Sequence, residues 1–318
     1  MDILVLGGTQ FVGRHIVRSL LDAGHTLTLF SRGKHANPFP ECEHVLGDRD
    51  GDLSHLTGRH FDWIVDVSAY FPSQIETMVK AVSTENYLLI STISVYDLDV
   101  PGPLTEASTR WAPLYEATTI TSDTYGPLKV ACEDVVQKHF GAKALILRPH
   151  IVVGSHDYTD RFTSWVRRLS HGGEVVFPGT LSTQLQFVDA RDVADFVHLA
   201  IEKELYGTYN MVRDPVSWHS VIRGMEALTK RPIQALEMDP EVLGGTLFPM
   251  WIPESNSRHV IMNTQNMLAT SVGFAFRELE DTLQFTWEWS LSQSTVEKPA
   301  GPTPEQERLW IEAWKQRA

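Results

Sequence analysis

A mixed α/β fold, with a doubly wound parallel sheet and a smaller C-terminal lobe, is predicted from two patterns in the sequence. Short apolar segments alternate with helical segments through the first half of the chain, which is the order of a parallel sheet covered by helices on both faces. After Leu147 this alternation stops, and tryptophans become frequent in the last third. A chain of 318 residues is also long for one compact core, which favours a second lobe.

The predicted division of the chain follows this change of pattern. The main domain takes residues 1–148 and a later returning segment, about 180–206, and the substrate-binding lobe takes residues 149–179 and 207–318. A proline-containing stretch, 294–304, is predicted to be a linker to a terminal helix, Pro304 to Arg317.

The strand candidates are apolar runs too short for helices, as expected of strands buried on both faces of a parallel sheet. They are Ile3–Leu6, Thr26–Phe30, His44–Leu46, Trp63–Val67, Tyr87–Ile90 and Ala144–Leu147. Helices are predicted at Phe11–Ala23 and at Pro72–Val82, which starts with a proline that a first helical turn tolerates. A further helix, Asp192–Glu204, belongs to the returning segment.

The turn after the first strand has the pattern of a dinucleotide-binding unit. Gly7 and Gly8 permit a tight turn, and Gly13 lets the next helix pack close to the strand, with its free N–H groups facing a pyrophosphate. The predicted cofactor contacts are Gly7, Gly8, Thr9, Gln10, Phe11, Val12 and Gly13. The middle glycine of the usual fingerprint is missing, so a glycine-rich turn of another α/β protein is the alternative. A nucleotide-hydrolase phosphate loop is disfavoured, because Arg14-His15 follow where Lys and Ser or Thr are needed.

Tyr125 and Lys129 are four residues apart, which places both side chains on one face of a helix. Pro127 requires the first turn of that helix, so Tyr125 is expected at its start. A lysine ammonium beside a phenol favours the phenolate. Tyr125 is therefore predicted to exchange a proton near neutral pH, below its ordinary pKa of about 10, as in a carbonyl reductase.

Hydroxyl side chains follow the fifth strand, where the carboxyl ends of parallel strands face the ligand crevice. Thr92 is predicted to donate to a substrate carbonyl oxygen that Tyr125 protonates, and Ser94 is the alternative donor. The competing interpretation of Thr92 is an ordinary strand-end or helix-capping threonine.

The loops after the second, third and fourth strands supply further predicted cofactor contacts. Arg32 and Lys34 stand where an enzyme that selects NAD has an acidic residue for the ribose hydroxyl. NADP(H) is therefore predicted to be preferred over NAD(H), the alternative being that both cations are solvated loop residues. The remaining predicted contacts are Ser31, Asp48 and Arg49 near the adenine, Ser68 and Ala69 near the ribose, Pro149, Ile151, and again Tyr125 and Lys129.

Composition bears on partners and location. The formal charge of −13 is spread along the chain, which disfavours nucleic acid and anionic membranes as partners. The sequence has no leader pattern and no apolar stretch of roughly 18 residues, so a cytoplasmic location is expected. A monomeric or homodimeric state is also expected. Two cysteines exclude a disulfide framework, and no His-Glu-x-x-His or Cys-x-x-Cys spacing predicts a metal site.

In their order along the chain, these motifs resemble those of short-chain dehydrogenases/reductases of the extended, atypical kind, which are NAD-dependent epimerase/dehydratase-like and isoflavone-reductase-like. The matching segments are Gly-Gly-x-x-x-x-Gly at 7–13, Ser91-Thr92-x-Ser94-Val95-Tyr96, Tyr125-x-x-x-Lys129, Leu147-Arg148-Pro149 with Gly154, and Phe187-Val188-Asp189 with Asp192-Val193-Ala194. The resemblance runs from residue 1 to about 204. It implies a Rossmann-type fold and a catalytic set of Thr92 or Ser94, Tyr125 and Lys129.

The chain departs from this family at positions that serve nucleotide sugars. Ile93-Ser94 stand where family dehydratases carry Asp-Glu, and Ile151 and Leu185 stand where nucleotide-sugar enzymes carry Asn and Arg. The sequence therefore predicts a reductase of a carbonyl or activated double bond of a small molecule. An epimerase that retains its cofactor and a non-catalytic nucleotide-binding or RNA-associated protein are the alternatives. The predicted substrate contacts are Tyr96, Arg161 and Trp165, with a surface ion-pair role as the alternative for Arg161.

Overall fold

The computed structural model describes residues 1–100, 102–293 and 299–316. Within these ranges the strands are Asp2–Leu6 (β1), Thr26–Ser31 (β2), Glu43–Leu46 (β3), His60–Asp66 (β4), Ser83–Ile90 (β5), Ala144–Pro149 (β6), Val152–Val153 (β7), Gly173–Phe177 (β8), Gln184–Leu185 (β9), Val188–Asp189 (β10), Gly207–Met211 (β11), Val216–Ser217 (β12) and Ile233–Glu237 (β13). The α-helices are Phe11–Asp22 (α1), Pro72–Ala81 (α2), Tyr125–Phe140 (α3), Arg161–Ser170 (α4), Ala190–Glu202 (α5), Trp218–Thr229 (α6), Met267–Ser271 (α7), Leu279–Leu291 (α8) and Pro304–Lys315 (α9).

In the described part of the chain, seven parallel strands form the central sheet in the order β11-β6-β5-β4-β1-β2-β3. The strand order reverses between β1 and β4, which leaves a crevice at the carboxyl ends of these two strands. β4 and β5 begin before the predicted Trp63 and Tyr87, because their exposed first residues break the apolar pattern. The predicted Rossmann-type parallel sheet is confirmed.

Helices cover both faces of this sheet. Successive residues of a strand point to opposite faces, so Val5 of β1 belongs to the same apolar core as Ile16 of α1 and Phe196 of α5. Its neighbour Leu4 belongs to the core on the other face, which includes Ile75 of α2. No helix in the described ranges combines the length and apolarity needed to cross a membrane.

A second apolar core lies outside the sheet. The rings of Trp165, Phe177 and Trp218 pack together there, with centroid distances of 5.1, 4.5 and 5.8 Å for the pairs 165–177, 165–218 and 177–218. Side chains of α4, α6 and α8 and of the paired strands β8 and β13 complete it. This core forms the lobe beside the sheet.

One predicted boundary needs correction. Strand β11 pairs with β6 at the edge of the central sheet, although residues 207–318 were all predicted to lie in the lobe. Its polar Thr208 and Asn210 alternate with Tyr209 and Met211, a strand pattern that the apolar-run criterion misses. The other predicted boundaries stay predictions, and residues 294–298 of the predicted linker and Arg317 of the predicted terminal helix lie outside the described residues.

Candidate active site

The turn between β1 and α1 is shaped by its glycines. Gly7 has a φ of +92°, and a Cβ atom on Gly13 would lie 2.1 Å from the carbonyl oxygen of Gly7. Position 13 therefore has to be glycine for α1 to lie against the turn, as the sequence predicts. The side chain of Gln10, the N-cap residue of α1, makes no capping hydrogen bond in the described part of the chain. The first N–H groups of α1 thus remain available to an anionic ligand.

A cavity of about 470 Å³ extends from this turn along the carboxyl ends of β2 and β3. Its lining includes nine of the predicted cofactor contacts, namely Gly7, Thr9, Gln10, Ser31, Arg32, Lys34, Asp48, Arg49 and Ser68. The side chains of Arg32 and Lys34 are exposed to solvent. We call this the first cavity.

Arg49 is buried at the wall of the first cavity and pairs with Asp66, the last residue of β4. Nη1 and Nη2 of Arg49 donate to the two carboxylate oxygens at 3.0 and 2.6 Å, and the hydroxyl of Tyr87 donates to Asp66 at 2.6 Å. Burial opposes ionisation of Asp66, but Arg49 outweighs it and keeps the pKa of this carboxyl below its ordinary value. The pair fixes the loop after β3 against the end of β4.

A second cavity, of about 310 Å³, shares Tyr70 with the first. It contains the four predicted catalytic residues, Thr92, Ser94, Tyr125 and Lys129. It is also lined by the predicted cofactor contacts Phe11, Val12, Ala69, Pro149 and Ile151. The predicted catalytic and cofactor residues are therefore brought together at one edge of the sheet, whereas Gly8 and Gly13 serve the packing of α1.

Helix α3 positions two of these side chains. It begins at Tyr125 and has Pro127 in its first turn, as predicted. Lys129 lies one turn later and is 3% exposed. Its ammonium donates to the carbonyl oxygens of Ala69 and Ile90, both at 2.8 Å. Lys129 thereby connects α3 to the carboxyl ends of two neighbouring strands.

The prediction that Lys129 lowers the pKa of Tyr125 is wrong for the protein without bound ligand. Burial raises the pKa of Tyr125 to about 12, and the neighbouring phenol of Tyr70 adds to this effect. Lys129, whose ammonium is hydrogen-bonded to the two backbone carbonyls, is not among the main influences on this pKa. Tyr125 is consequently a neutral phenol at neutral pH, the form that donates a proton.

Thr92 stands at the start of the 3₁₀ turn Ile93–Val95. Its hydroxyl oxygen accepts from the backbone N–H of Ser94 at 3.1 Å, and the same hydroxyl donates to Oγ of Ser94 at 3.2 Å. These two bonds are those of a capping threonine, and the Thr92 hydroxyl also interacts with the phenol of Tyr125, where it opposes the rise of the Tyr125 pKa. Both hydroxyls nevertheless line the second cavity, so either remains a candidate donor to a substrate oxygen.

Two predicted substrate contacts are wrong. Tyr96 is fully buried, and its hydroxyl donates to Asn210 at 2.6 Å and accepts from Arg148 at 2.9 Å. The turn after Thr92 directs it into the interior instead of the cavity. Trp165 belongs to the lobe core, and its indole N–H donates to the carbonyl oxygen of Pro249 at 2.6 Å. Arg161 does line the second cavity, and its role toward a substrate stays a prediction.

The lining residues of the second cavity that the sequence analysis does not predict include three with polar rings, Tyr70, His150 and Tyr158. The ring centroid of Tyr70 is 6.3 Å from that of Tyr125. Tyr70 directly follows the predicted contacts Ser68 and Ala69, so the same strand-end argument extends to it. Nε2 of His150 lies 3.1 Å from the carbonyl oxygen of Ile261, and burial lowers the pKa of His150 to about 4. No sequence pattern distinguishes His150 from a core histidine.

Known proteins share the motifs of this chain. The sequence pattern of the NAD dependent epimerase/dehydratase family matches residues 3–70 and 65–211. The chain is 26% identical over 210 residues to the chloroplast stem-loop binding protein of 41 kDa b of Arabidopsis thaliana. This match covers 60% of the present chain and 53% of that protein, so it spans about half of the relative's length.

Solved structures share the fold over nearly the whole chain. The UDP-glucuronic acid 4-epimerase of Bacillus cereus in complex with NAD aligns with a TM-score of 0.65 at 17% identity, covering 92% of this chain and 99% of that one. The UDP-glucose 4-epimerase of Thermotoga maritima aligns with a TM-score of 0.66 at 17% identity, covering 92% of this chain and 99% of that one. The UDP-N-acetylglucosamine 4-epimerase of Methanobrevibacter ruminantium aligns with a TM-score of 0.67 at 17% identity, covering 92% of this chain and 98% of that one.

Proposed function

Because the chain belongs to the NAD dependent epimerase/dehydratase family, we propose that it is a nicotinamide-dinucleotide-dependent oxidoreductase that reduces a carbonyl or activated double bond of a small molecule. The observation that carries this proposal is the second cavity, where the neutral phenol of Tyr125 lies among the same lining residues as Thr92 and Lys129. A neutral phenol holds its proton throughout the neutral range and can donate it to a developing alkoxide, which is more basic than a phenolate.

In the proposed reaction, Tyr125 donates its proton to the substrate oxygen while Thr92 or Ser94 donates a hydrogen bond to that oxygen. Lys129 uses two of its three N–H donors for the carbonyls of Ala69 and Ile90, which leaves one for a ribose hydroxyl of the cofactor. A bound nicotinamide cofactor supplies the hydride.

The residues of the first cavity fit a dinucleotide. A Cβ atom at Gly7 would lie 2.9 Å from Cβ of Ser68, so the glycine keeps this part of the cavity open. The uncapped N-terminus of α1 would hold the pyrophosphate through its N–H groups. Asp48 and Arg49 would border the adenine, and Ser68 and Ala69 the adjacent ribose.

We further propose that NADP(H) is preferred over NAD(H), since Arg32 and Lys34 both line the first cavity just beyond β2. A charge-assisted hydrogen bond is worth about 1.5–3 kcal/mol, or roughly ten- to a hundredfold in affinity. Titration of the protein with NADPH and NADH should show this difference. The double substitution Arg32→Ala/Lys34→Ala should remove it, whereas Lys80→Ala, an exposed lysine on α2, should not. Equal affinities in the wild type would contradict the proposal.

The proposed substrate is compact and carries no nucleotide diphosphate. The second cavity measures about 310 Å³, the lower end of the size range of ligand pockets. Ile151, in place of an amide, lines this cavity, and Leu185, in place of a cation, is fully buried in the lobe core. A net charge of −13 gives an anionic diphosphate no long-range attraction.

An epimerase that retains its cofactor is the second candidate, and the names of the structural neighbours favour it, since all three are 4-epimerases of UDP-sugars. Such an enzyme would carry cofactor through gel filtration. RNA binding, suggested by the name of the stem-loop binding relative, is opposed by the net charge of −13. Cytoplasmic location and a monomeric or homodimeric state stay predictions.

A substrate screen separates the two candidates. Small ketones and enones should include at least one compound that drives NADPH consumption, and UDP- and dTDP-sugars should give no turnover. Lys129→Ala should weaken both turnover and cofactor binding, while Lys80→Ala serves as the matched control. Turnover of a nucleotide sugar without net cofactor consumption would reject the reductase in favour of the epimerase.

A further inference from the structure

Two histidines and a glutamate meet at the amino-terminal end of the sheet, opposite the end that carries the cavities. His25 directly precedes β2, and His198 and Glu202 lie one turn apart on α5. One potential ligand atom from each residue lies within 4.8 Å of the other two. The first histidine is distant in sequence from the other two residues, which is why no spacing motif predicts the group.

The two imidazoles have unused nitrogens. His25 is 8% exposed, and neither its Nε2 nor Nδ1 of His198 has a hydrogen-bond partner among the described residues. The other ring nitrogen of His25, Nδ1, lies 3.4 Å from the amino nitrogen of Met1. Buried polar atoms are nearly always paired in native proteins. Nε2 of His25 has only the ion-pair contact with the carboxylate of Glu202, and Nδ1 of His198 has no hydrogen-bond partner among the described residues, so the group offers ligand atoms to a bound cation.

The distances suit a transition-metal ion. Zn²⁺ binds histidine nitrogen and carboxylate oxygen at about 2.0–2.1 Å, which places tetrahedral ligands about 3.3–3.4 Å apart. Nε2 of His25 and Oε1 of Glu202 already have a separation of 3.3 Å. His198 is half-buried, so rotation of its side chain can bring its nitrogen closer.

We propose that His25, His198 and Glu202 form a binding site for a divalent transition-metal ion such as Zn²⁺, with water as the fourth ligand. Two imidazoles and one carboxylate form a ligand set that zinc accepts. The bound ion would link the turn before β2 to the C-terminal turn of α5, and it would stabilise the folded chain because the unfolded chain lacks the assembled site.

Titration of the untagged, chelator-treated protein with ZnCl₂ tests this site. We expect one saturable equivalent by calorimetry and a rise in the midpoint of thermal unfolding. His198→Ala and Glu202→Gln should each weaken the affinity at least tenfold and remove the thermal shift. His219→Ala and Glu204→Gln, an exposed histidine and glutamate outside the group, should leave both unchanged.

Circular dichroism without metal shows whether the variants fold. We expect both to fold, because His198 is only half-buried and Glu202 is exposed. Visible absorption of the protein with Co²⁺ gives a second measurement, since tetrahedral nitrogen and oxygen ligands produce intense bands that the hydrated ion lacks. The proposal is overturned if the wild type binds no saturable equivalent of Zn²⁺, or if the two variants bind it as tightly as the wild type.

Discussion

The hydroxyl of Tyr125 is the group to which the proposed reaction assigns proton donation. Tyr125→Phe removes this oxygen alone, so the fold and the cofactor affinity should persist. Turnover should fall at least tenfold, since general acid catalysis contributes roughly 10²–10⁴-fold. The measurement is kcat with the best carbonyl substrate of the screen. Tyr70→Phe removes a neighbouring hydroxyl from the same cavity and should retain most of the activity. A Tyr125→Phe variant with more than about a tenth of wild-type turnover would show that another group is the acid.

The buried imidazole of His150 makes stability depend on pH. Burial lowers the pKa of His150 from 6.5 to about 4, so between these values the unfolded chain binds a proton that the folded chain does not. The free energy of unfolding should therefore decrease as the pH falls through this interval, by roughly 3 kcal/mol from this residue alone. Urea unfolding at pH 7 and pH 4.5 measures the decrease.

His150→Gln should make that decrease smaller, and His55→Gln, an exposed histidine, should not. The comparison of variants is needed because other groups titrate in the same interval. Burial raises the pKa of Asp192 to about 6, for example, and this carboxyl acts in the opposite direction. Identical pH dependence in His150→Gln and the wild type would show that the histidine is not buried in its neutral form.

The contact between the β1–α1 turn and helix α1 depends on Gly13. The Cβ atom of Gly13→Ala would meet the backbone oxygen of Gly7 at 2.1 Å, so the turn or the helix has to move. Overpacking of this kind costs about 1–3 kcal/mol, and the displaced N–H groups should also weaken NADPH binding. Gly51→Ala is the matched control, because its Cβ atom would be 3.7 Å from the nearest atoms. Equal stability and affinity in the two variants would contradict the close packing.

The sequence predicts those elements whose signals are local. Six of the seven described strands of the sheet, the glycine turn and the start of α3 at Tyr125 follow from apolar runs or from glycine and proline, whereas β11 does not. The directions of Tyr96 and Trp165 do not, because they depend on a turn after β5 and on the packing of the lobe. The pKa of Tyr125 could not be predicted from its spacing to Lys129, because burial of the phenol, which the spacing does not reveal, has the largest influence on it.

One buried carboxylate connects several parts of the fold. Glu133 of α3 accepts hydrogen bonds from Ser91 after β5, from Arg148 of β6 and from Arg110. Glu133→Ala leaves the buried guanidinium of Arg148 without its counter-charge and should cost about 3–5 kcal/mol. Asp134→Ala, at the next and partly exposed position, should cost about 1 kcal/mol or less. Urea unfolding measures both. Similar losses in the two variants would mean that the network contributes little.

The chain passes between the sheet and the lobe several times, and this limits how the molecule can move. It leaves the sheet after β6, returns with α5 and β11, and enters the lobe again with α6. A lobe attached by one flexible segment can swing open on a hinge, whereas here every connection would have to bend at once. The repeated crossings therefore oppose a wide hinge opening of the lobe away from the sheet.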